Sequence, residues 1–477
     1  MNDPKLICLL KSFTSDEMKE FEKFLLSPYF IRGKNLRTKQ LLAFYKILKE
    51  NHPSFSNRNL TPEKLYSRLN PGKEYDDSAM RSLVSHLTRF AQQFLTQKKF
   101  ESDEIESDKK LLEALYLKGQ DKLFDAACTK ALSKLESNAN EPGKYNYDKY
   151  FIRKLWFDFY STKKNVYKLE DDFANRDYFF YYVILSSLRI YMGMLTVWRW
   201  KGRSGSMILY EEIMDHVSKN LADYESIPNI PLYYNMIKLN TTGETEYFDN
   251  LVDLKNRFLG EFSPDDRYNL FVIITNYCNA MISKGHDSFR RQRFELDKEF
   301  ISTNSLFVRD NIHVFYFNSA TSNAAILGEY EWVENFIKKY GNRIDPNVKD
   351  FAVGYLRALV LFIKKDYTSS LVKLSRLNTA YPNQKQNIRN LILQIYFETG
   401  DYEQAFSIID TSLHFLKTEK NLPENFRKSS KNFIKMTSSI LKQMNNPSKK
   451  NPAALSKKLS ANEHQNKPWL LEKINKL

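Results

Sequence analysis

Apolar side chains recur along this chain at helical spacing, and runs that alternate as strands do are missing. Phe21, Phe24 and Leu25 stand at i, i+3 and i+4. The start signal before them is Phe13-Thr14-Ser15-Asp16-Glu17, where Thr14 or Ser15 supplies a capping hydroxyl and acids fill the first turn. Ser27-Pro28 ends that helix, because a proline disfavours helical geometry in the residue before it. Leu41 to Leu48 predicts a second helix, closed by His52-Pro53, and Thr61-Pro62 opens a third as cap and first helical residue. Asn70-Pro71-Gly72 is a turn. Asp77 opens a fourth helix with the apolar face Met80, Leu83, Val84, Leu87, Phe90, Ala91 and Phe94.

Farther on, Leu111 to Leu135, Tyr147 to Tyr160, Tyr178 to Trp200, Met207 to Tyr224 and Tyr268 to Ser283 read as helices. Glu141-Pro142-Gly143 and the stretch from Ile227-Pro228 to Pro231 read as breaks. The acid pairs Asp76-Asp77 and Asp265-Asp266 precede helices, where acids stabilise the free N–H groups. The predicted fold class is all-α.

A repeat emerges in the second half. Gly328-Glu329-Tyr330, Lys365-Asp366-Tyr367 and Gly400-Asp401-Tyr402 each separate two apolar-periodic segments, with the tyrosines 37 and 35 residues apart. That spacing resembles the roughly 34-residue helix–turn–helix period of tetratricopeptide repeats. Tyr396, Ala405 and the Gly400 turn fall at that family's aromatic, small and turn positions, and Ala358 and Pro382 at its small and terminal-proline positions. Leu361 replaces the aromatic, Arg357 stands at an apolar position, Pro346 is one position late and the family's tryptophan is missing. The resemblance implies hairpins that bury their apolar sides only by stacking, in a superhelix whose concave wall is lined by each first helix. It implies peptide-binding positions at Asn318 and Ser322, Tyr355 and Leu359, and Asn387, Asn390 and Gln394. Asparagine and glutamine amides suit that task because they donate and accept at once.

The chain is then expected to divide into a basic N-terminal helical module (1–100), a degenerate repeat-like region (101–310) and tetratricopeptide-like repeats (311–444). A flexible linker (445–466) and a C-terminal docking helix (467–477) follow, the latter too short to be helical in water alone and expected to fold back onto the body.

Composition narrows the class. Of 477 residues 42% are apolar and 14% aromatic, which excludes disorder over most of the length, and 14 Gly with 15 Pro are too few for a turn-rich all-β fold. The net charge of +15 sits at the ends. Residues 1–100 carry +8 and residues 445–477 carry +5, a pattern that serves solubility or attracts nucleic acid. Three widely separated cysteines, Cys8, Cys128 and Cys278, indicate neither a disulfide framework nor a zinc site and fit a reducing cytoplasm. Tyr178 to Trp198 is apolar enough to raise the question of a membrane span. Arg189 near its centre would cost about 2.5–3.5 kcal/mol there. The expectation is a helix buried on most sides within the stack, and no membrane span.

Candidate chemistry is sparse. Gly202-Arg203-Ser204-Gly205-Ser206 lacks the lysine of a phosphate loop and reads as a turn, beside Trp198, Arg199, Trp200 and Lys201, which suit stacking on bases or an acidic peptide. Glu212 and His216 stand at i and i+4, but no further metal ligands can be named. No cofactor, metal site or catalytic residue is expected. Leu60 to Leu65 followed by Asp77 to Phe94 resembles the helix pair of winged helix–turn–helix activators, which implies Arg81, Ser85, Arg89 and Gln92 facing a major groove. The turn from Asn70 to Asp77 is long for that motif and no wing strands follow. Three classes compete: first a non-catalytic interaction scaffold for a peptide or protein segment, with a nucleic-acid-binding regulator using the basic module as the alternative, and behind them an enzyme that no motif reveals.

Overall fold

The structure is a computed structural model that describes residues 4–27, 36–55, 60–137, 142–162, 174–201, 203–306, 311–445 and 451–477. It is an all-α, helical-hairpin repeat fold, with no β-strand among the described residues. The chain forms two compact units, Met1–Ala139 with Lys144–Tyr181, and Asn140–Gly143 with Tyr182–Leu477. The boundaries read from the sequence at 100 and 310 lie inside these units.

The first unit contains α1 (Pro4–Lys11), α2 (Ser15–Leu26), α3 (Leu36–Lys49), α4 (Pro62–Leu69), α5 (Asp77–Glu101), α6 (Glu104–Leu117), α7 (Asp121–Ser137) and most of α8 (Pro142–Thr162). Thr14 caps α2 in a reciprocal box: its Oγ1 accepts from Glu17 N, and its own N donates to the Glu17 carboxylate. Phe13, Phe21, Phe24 and Phe94 then pack together as the core of α1–α5. The helix expected from Leu111 to Leu135 is two helices. Gly119 takes a left-handed φ of 64°, and Gln120 N donates back to Leu115 O, so α6 ends and α7 begins while the apolar period runs on. Helix α2 ends at Leu26 with Ser27 as its extended C-cap, where Ser27-Pro28 predicted the end, and Pro28 itself lies outside the described residues.

Helix α9 (Ala174–Lys201) crosses from one unit to the other. The expectation that it is buried on most sides is corrected. Only 28% of its most apolar window is buried, and Ile190 and Val197 are 59% and 47% exposed. With Gly193 they fall at steps of three and four on one stripe, opposite the face that Leu185 and Leu188 bury. By length and mean hydropathy of 1.4, Asp177–Arg199 is one helix that suits a membrane crossing.

The second unit continues with α10 (Tyr210–Lys219), α11 (Asn229–Thr242), α12 (Thr245–Phe258), α13 (Pro264–Ser283), α14 (Ser288–Ser302), α15 (Val314–Ile326), α16 (Tyr330–Tyr340), α17 (Pro346–Ile363), α18 (Tyr367–Ser375), α19 (Pro382–Thr399), α20 (Tyr402–Thr418), α21 (Glu424–Met444), α22 (Pro452–Ser460) and α23 (Lys467–Asn475). The break expected from Pro228 to Pro231 is a helix start, since Pro228 sits at the cap and Pro231 in the first turn, where no N–H partner is lost. Met207 to Tyr224 resolves into α10 and a short 3-10 turn, Leu221–Tyr224.

The repeat is visible in backbone detail. Glu329, Asp366 and Asp401 each donate N–H to the carbonyl five residues back, of Ala324, Leu361 and Tyr396. The residues before them, Gly328, Lys365 and Gly400, hold φ values of 81°, 64° and 76°. The three turns share one motif, and the middle one fills its left-handed position with a β-carbon. Replacing Lys365 with Gly is expected to stabilise the protein by about 0.5–1 kcal/mol, read as a higher urea midpoint at unchanged slope. The hairpins stack in order, with α15 against α17, α17 against α19 and α19 against α21.

The flexible linker expected over 445–466 is also corrected. Lys, Ser and Asn dominate its composition, yet Asn451 caps α22, and Leu455 and Leu459 enter the same core as α21. Residues 446–450 lie outside the described residues.

Candidate functional site

All seven positions expected to line a groove lie on the first helices of successive hairpins. Asn318 and Ser322 are on α15, Tyr355 and Leu359 on α17, and Asn387, Asn390 and Gln394 on α19. Their environments differ. Ser322 Oγ donates to Asn318 O within its own helix, and Leu359 packs in the cluster of α17–α19. The half-buried Asn318 has a side-chain oxygen with no hydrogen-bond partner. Tyr355 stacks on Phe351 and reaches Asn387 O at 3.5 Å, joining α17 to α19, and burial pushes its phenol up.

Asn390 and Gln394 are already engaged. Asn390 is 2% exposed, its Oδ1 accepts from Gln386 Nε2 at 2.8 Å, and its Nδ2 donates to Gln465 Oε1 at 2.5 Å. One turn on, Gln394 Oε1 accepts from Asn466 Nδ2 at 3.3 Å. A further turn on, Glu398 Oε1 accepts from Trp469 Nε1 and pairs with Lys473 Nζ, both at 2.6 Å. The stripe 390, 394, 398 on α19 therefore holds the segment 465–473 of the same chain. Phe397 meets the Trp469 ring edge-on at 5.0 Å and Phe433 of α21 stands at 6.0 Å. Gln465 N also donates to Ser429 O, and Asn432 to Glu463 O. Burial pulls the Lys473 ammonium down, but its bonds to Glu398 and Glu472 outweigh that and hold it above its usual range. Sequence pattern placed a docking helix here and did not connect it with α19, because the partners lie more than seventy residues apart.

A second polar centre lies between α13 and α15, in a cavity of about 370 Å³. Its lining includes Phe271, Phe315, Tyr316 and Arg293 of α14. Arg293 is 2% exposed and Asp297, four residues on, is fully buried. Their Nε and Oδ2 stand 3.4 Å apart as an ion pair without a hydrogen bond, while Arg293 Nη1 donates to Ser319 Oγ at 2.8 Å and Tyr316 OH to Asp297 Oδ1 at 3.0 Å. Burial pushes the Asp297 carboxyl up to about 6, against the pull of Arg293.

A third polar centre corrects the reading of Asp266 as a dipole-stabilising acid alone. Ser263 does cap α13, accepting from Asp266 N, but the Asp266 carboxylate is buried and gathers four donors. Arg189 Nη2 reaches it at 2.9 Å, Asn229 Nδ2 and Tyr233 OH at 2.7 Å, and Ser263 Oγ at 2.8 Å. The mid-helix arginine of α9 is thus neutralised within the second unit.

In the first unit, Arg81, Ser85, Arg89 and Gln92 form an exposed stripe on α5, with Arg81 paired to Asp77 at 2.8 Å. In the other, His216 Nε2 bonds Tyr224 OH at 2.8 Å, and among the described residues no group of three or more metal-ligating side chains converges. The stripe Gly202 to Ser206 includes Gly202, which lies outside the described residues, and Gly205 backs onto the Trp198 ring so closely that a β-carbon would meet it at 2.8 Å. Comparisons with protein-family models, curated proteins and solved structures found no match.

Proposed function

We propose that the chain is a degenerate tetratricopeptide-like scaffold, non-catalytic and cytoplasmic, that binds a peptide or protein segment along the first helices of its C-terminal hairpins. One observation carries this reading. The α19 stripe Asn390, Gln394 and Glu398 holds the side chains of a short, largely helical stretch of polypeptide by two amides and a carboxylate, the kind of contact a helical wall can offer a peptide. Asn318 and Asn387, partly exposed on α15 and α19, extend the same amide chemistry beyond the occupied stripe. The experiment is selection of peptides from a random display library on the full-length protein. Peptides so obtained are expected to lose about tenfold or more in affinity for Asn318→Ala with Asn387→Ala, two hydrogen bonds' worth, while helical circular dichroism is unchanged. Undiminished binding to that variant contradicts the groove.

A further inference from the structure

The contacts between α19 and the C-terminal segment discriminate among side chains. A cap that only closed the end of a stack would need Leu470 and Ile474, which are fully buried, and nothing more. Here four further residues each meet a polar partner on α19, Trp469 and Lys473 sharing one. Gln465 and Asn466 meet the amides of Asn390 and Gln394, Trp469 meets a carboxylate at its N–H and two rings at its faces and edge, and Lys473 meets the same carboxylate. The receiving groups are set in place independently: Gln386 orients the Asn390 amide, and Glu398 stands at a fixed two-turn distance along one helix. Such an arrangement reads a sequence.

We propose that the Asn390–Gln394–Glu398 stripe, walled by Phe397 and Phe433, is a receptor for peptides of the pattern Gln-Asn-x-x-Trp-x-x-x-Lys, and that residues 465–473 occupy it in cis as a tethered competitor. The proposal rests on the peptide-binding reading above and names its ligand. A partner carrying the pattern displaces the segment, and α22 keeps the displaced tail attached through Leu455 and Leu459. Because a short tether holds its ligand at about millimolar effective concentration, the closed chain binds such a partner far more weakly than an opened one.

The test uses full-length proteins and a fluorescent peptide of residues 462–477, followed by anisotropy. Trp469→Ala with Lys473→Ala removes the two strongest anchors of the tethered copy while leaving the receptor stripe intact. That variant is expected to bind the peptide about a hundredfold more tightly than the unaltered chain. Adding Glu398→Ala is expected to weaken binding again by at least about tenfold, since one carboxylate serves both Trp469 and Lys473. No gain in the opened variant, or a gain indifferent to Glu398, overturns the proposal. Loss of cooperative melting in the opened variant also overturns it, because residues 465–473 are then a structural cap. If display-selected peptides still depend on Asn318 and Asn387, that failure removes the ligand pattern and leaves the peptide-binding reading standing.

Discussion

Asp297→Ala is expected to lower the stability of the protein by about 3–5 kcal/mol, because it empties a fully buried site and leaves Tyr316 OH and Arg293 Nε facing it without a partner. Asp297→Asn is the milder change, since the amide keeps the volume of the carboxylate and an acceptor for Tyr316 OH and removes only a charge that burial already disfavours. An arginine cannot shed its proton to escape burial. The converse change, Arg293→Met, is expected to cost less below pH 6, since Asp297 already has its carboxyl raised to about 6 and takes up a proton when its partner goes. The sign of the pH dependence follows. A carboxyl whose folded pKa lies above its unfolded value binds more protons in the native state, so stability from this group rises as pH falls from about 7 towards 4. Urea denaturation across that range is expected to show the rise in the unaltered protein, an earlier onset in Arg293→Met, and its loss in Asp297→Asn.

Asp266→Ala is expected to cost a similar amount, about 3–5 kcal/mol, for a different reason: it orphans several buried donors at once. Asn229 is fully buried and Tyr233 nearly so, and both direct a donor at the lost carboxylate, as do Ser263 and Arg189. Arg189→Leu is expected to cost less, because the arginine side chain is 30% exposed and only one donor of the four disappears. Denaturation midpoints of the two variants at pH 7 check the ranking. Equal midpoints would mean that the Arg189 pair, and not the four-donor cluster, carries the stabilisation.

Local signals in the sequence were reliable where the cause was local. Thr14 and Thr61 each cap the helix they precede, as hydroxyl and spacing require, and the 330, 367 and 402 triplets mark three copies of one turn motif. Errors fell where two local rules competed. Gly119 interrupts a helix whose apolar period continues across it, and Pro228 and Pro231 resemble breakers although the first turn tolerates both. In the tail, Lys and Ser outnumber Leu455 and Leu459, so composition concealed a helix that two leucines suffice to dock. The site was legible only in part. Helical position placed Asn390 and Gln394 on a first helix correctly, but their partners Gln465 and Asn466 are distant in sequence. Arg293 and Asp297 stood at i and i+4 in plain view, yet that spacing is common on exposed helices, and only burial gives the pair its weight. Ile190 and Val197 show the reverse case: their apolarity predicted burial that the packing does not supply.

The most direct measurement of the central claim is hydrogen exchange across the full-length chain with and without a display-selected peptide. Slower exchange in α15, α17 and α19, with α16, α18 and α20 unchanged, is the predicted result. Protection confined to α5, or to the second helices of the hairpins, would contradict a ligand held along the first helices.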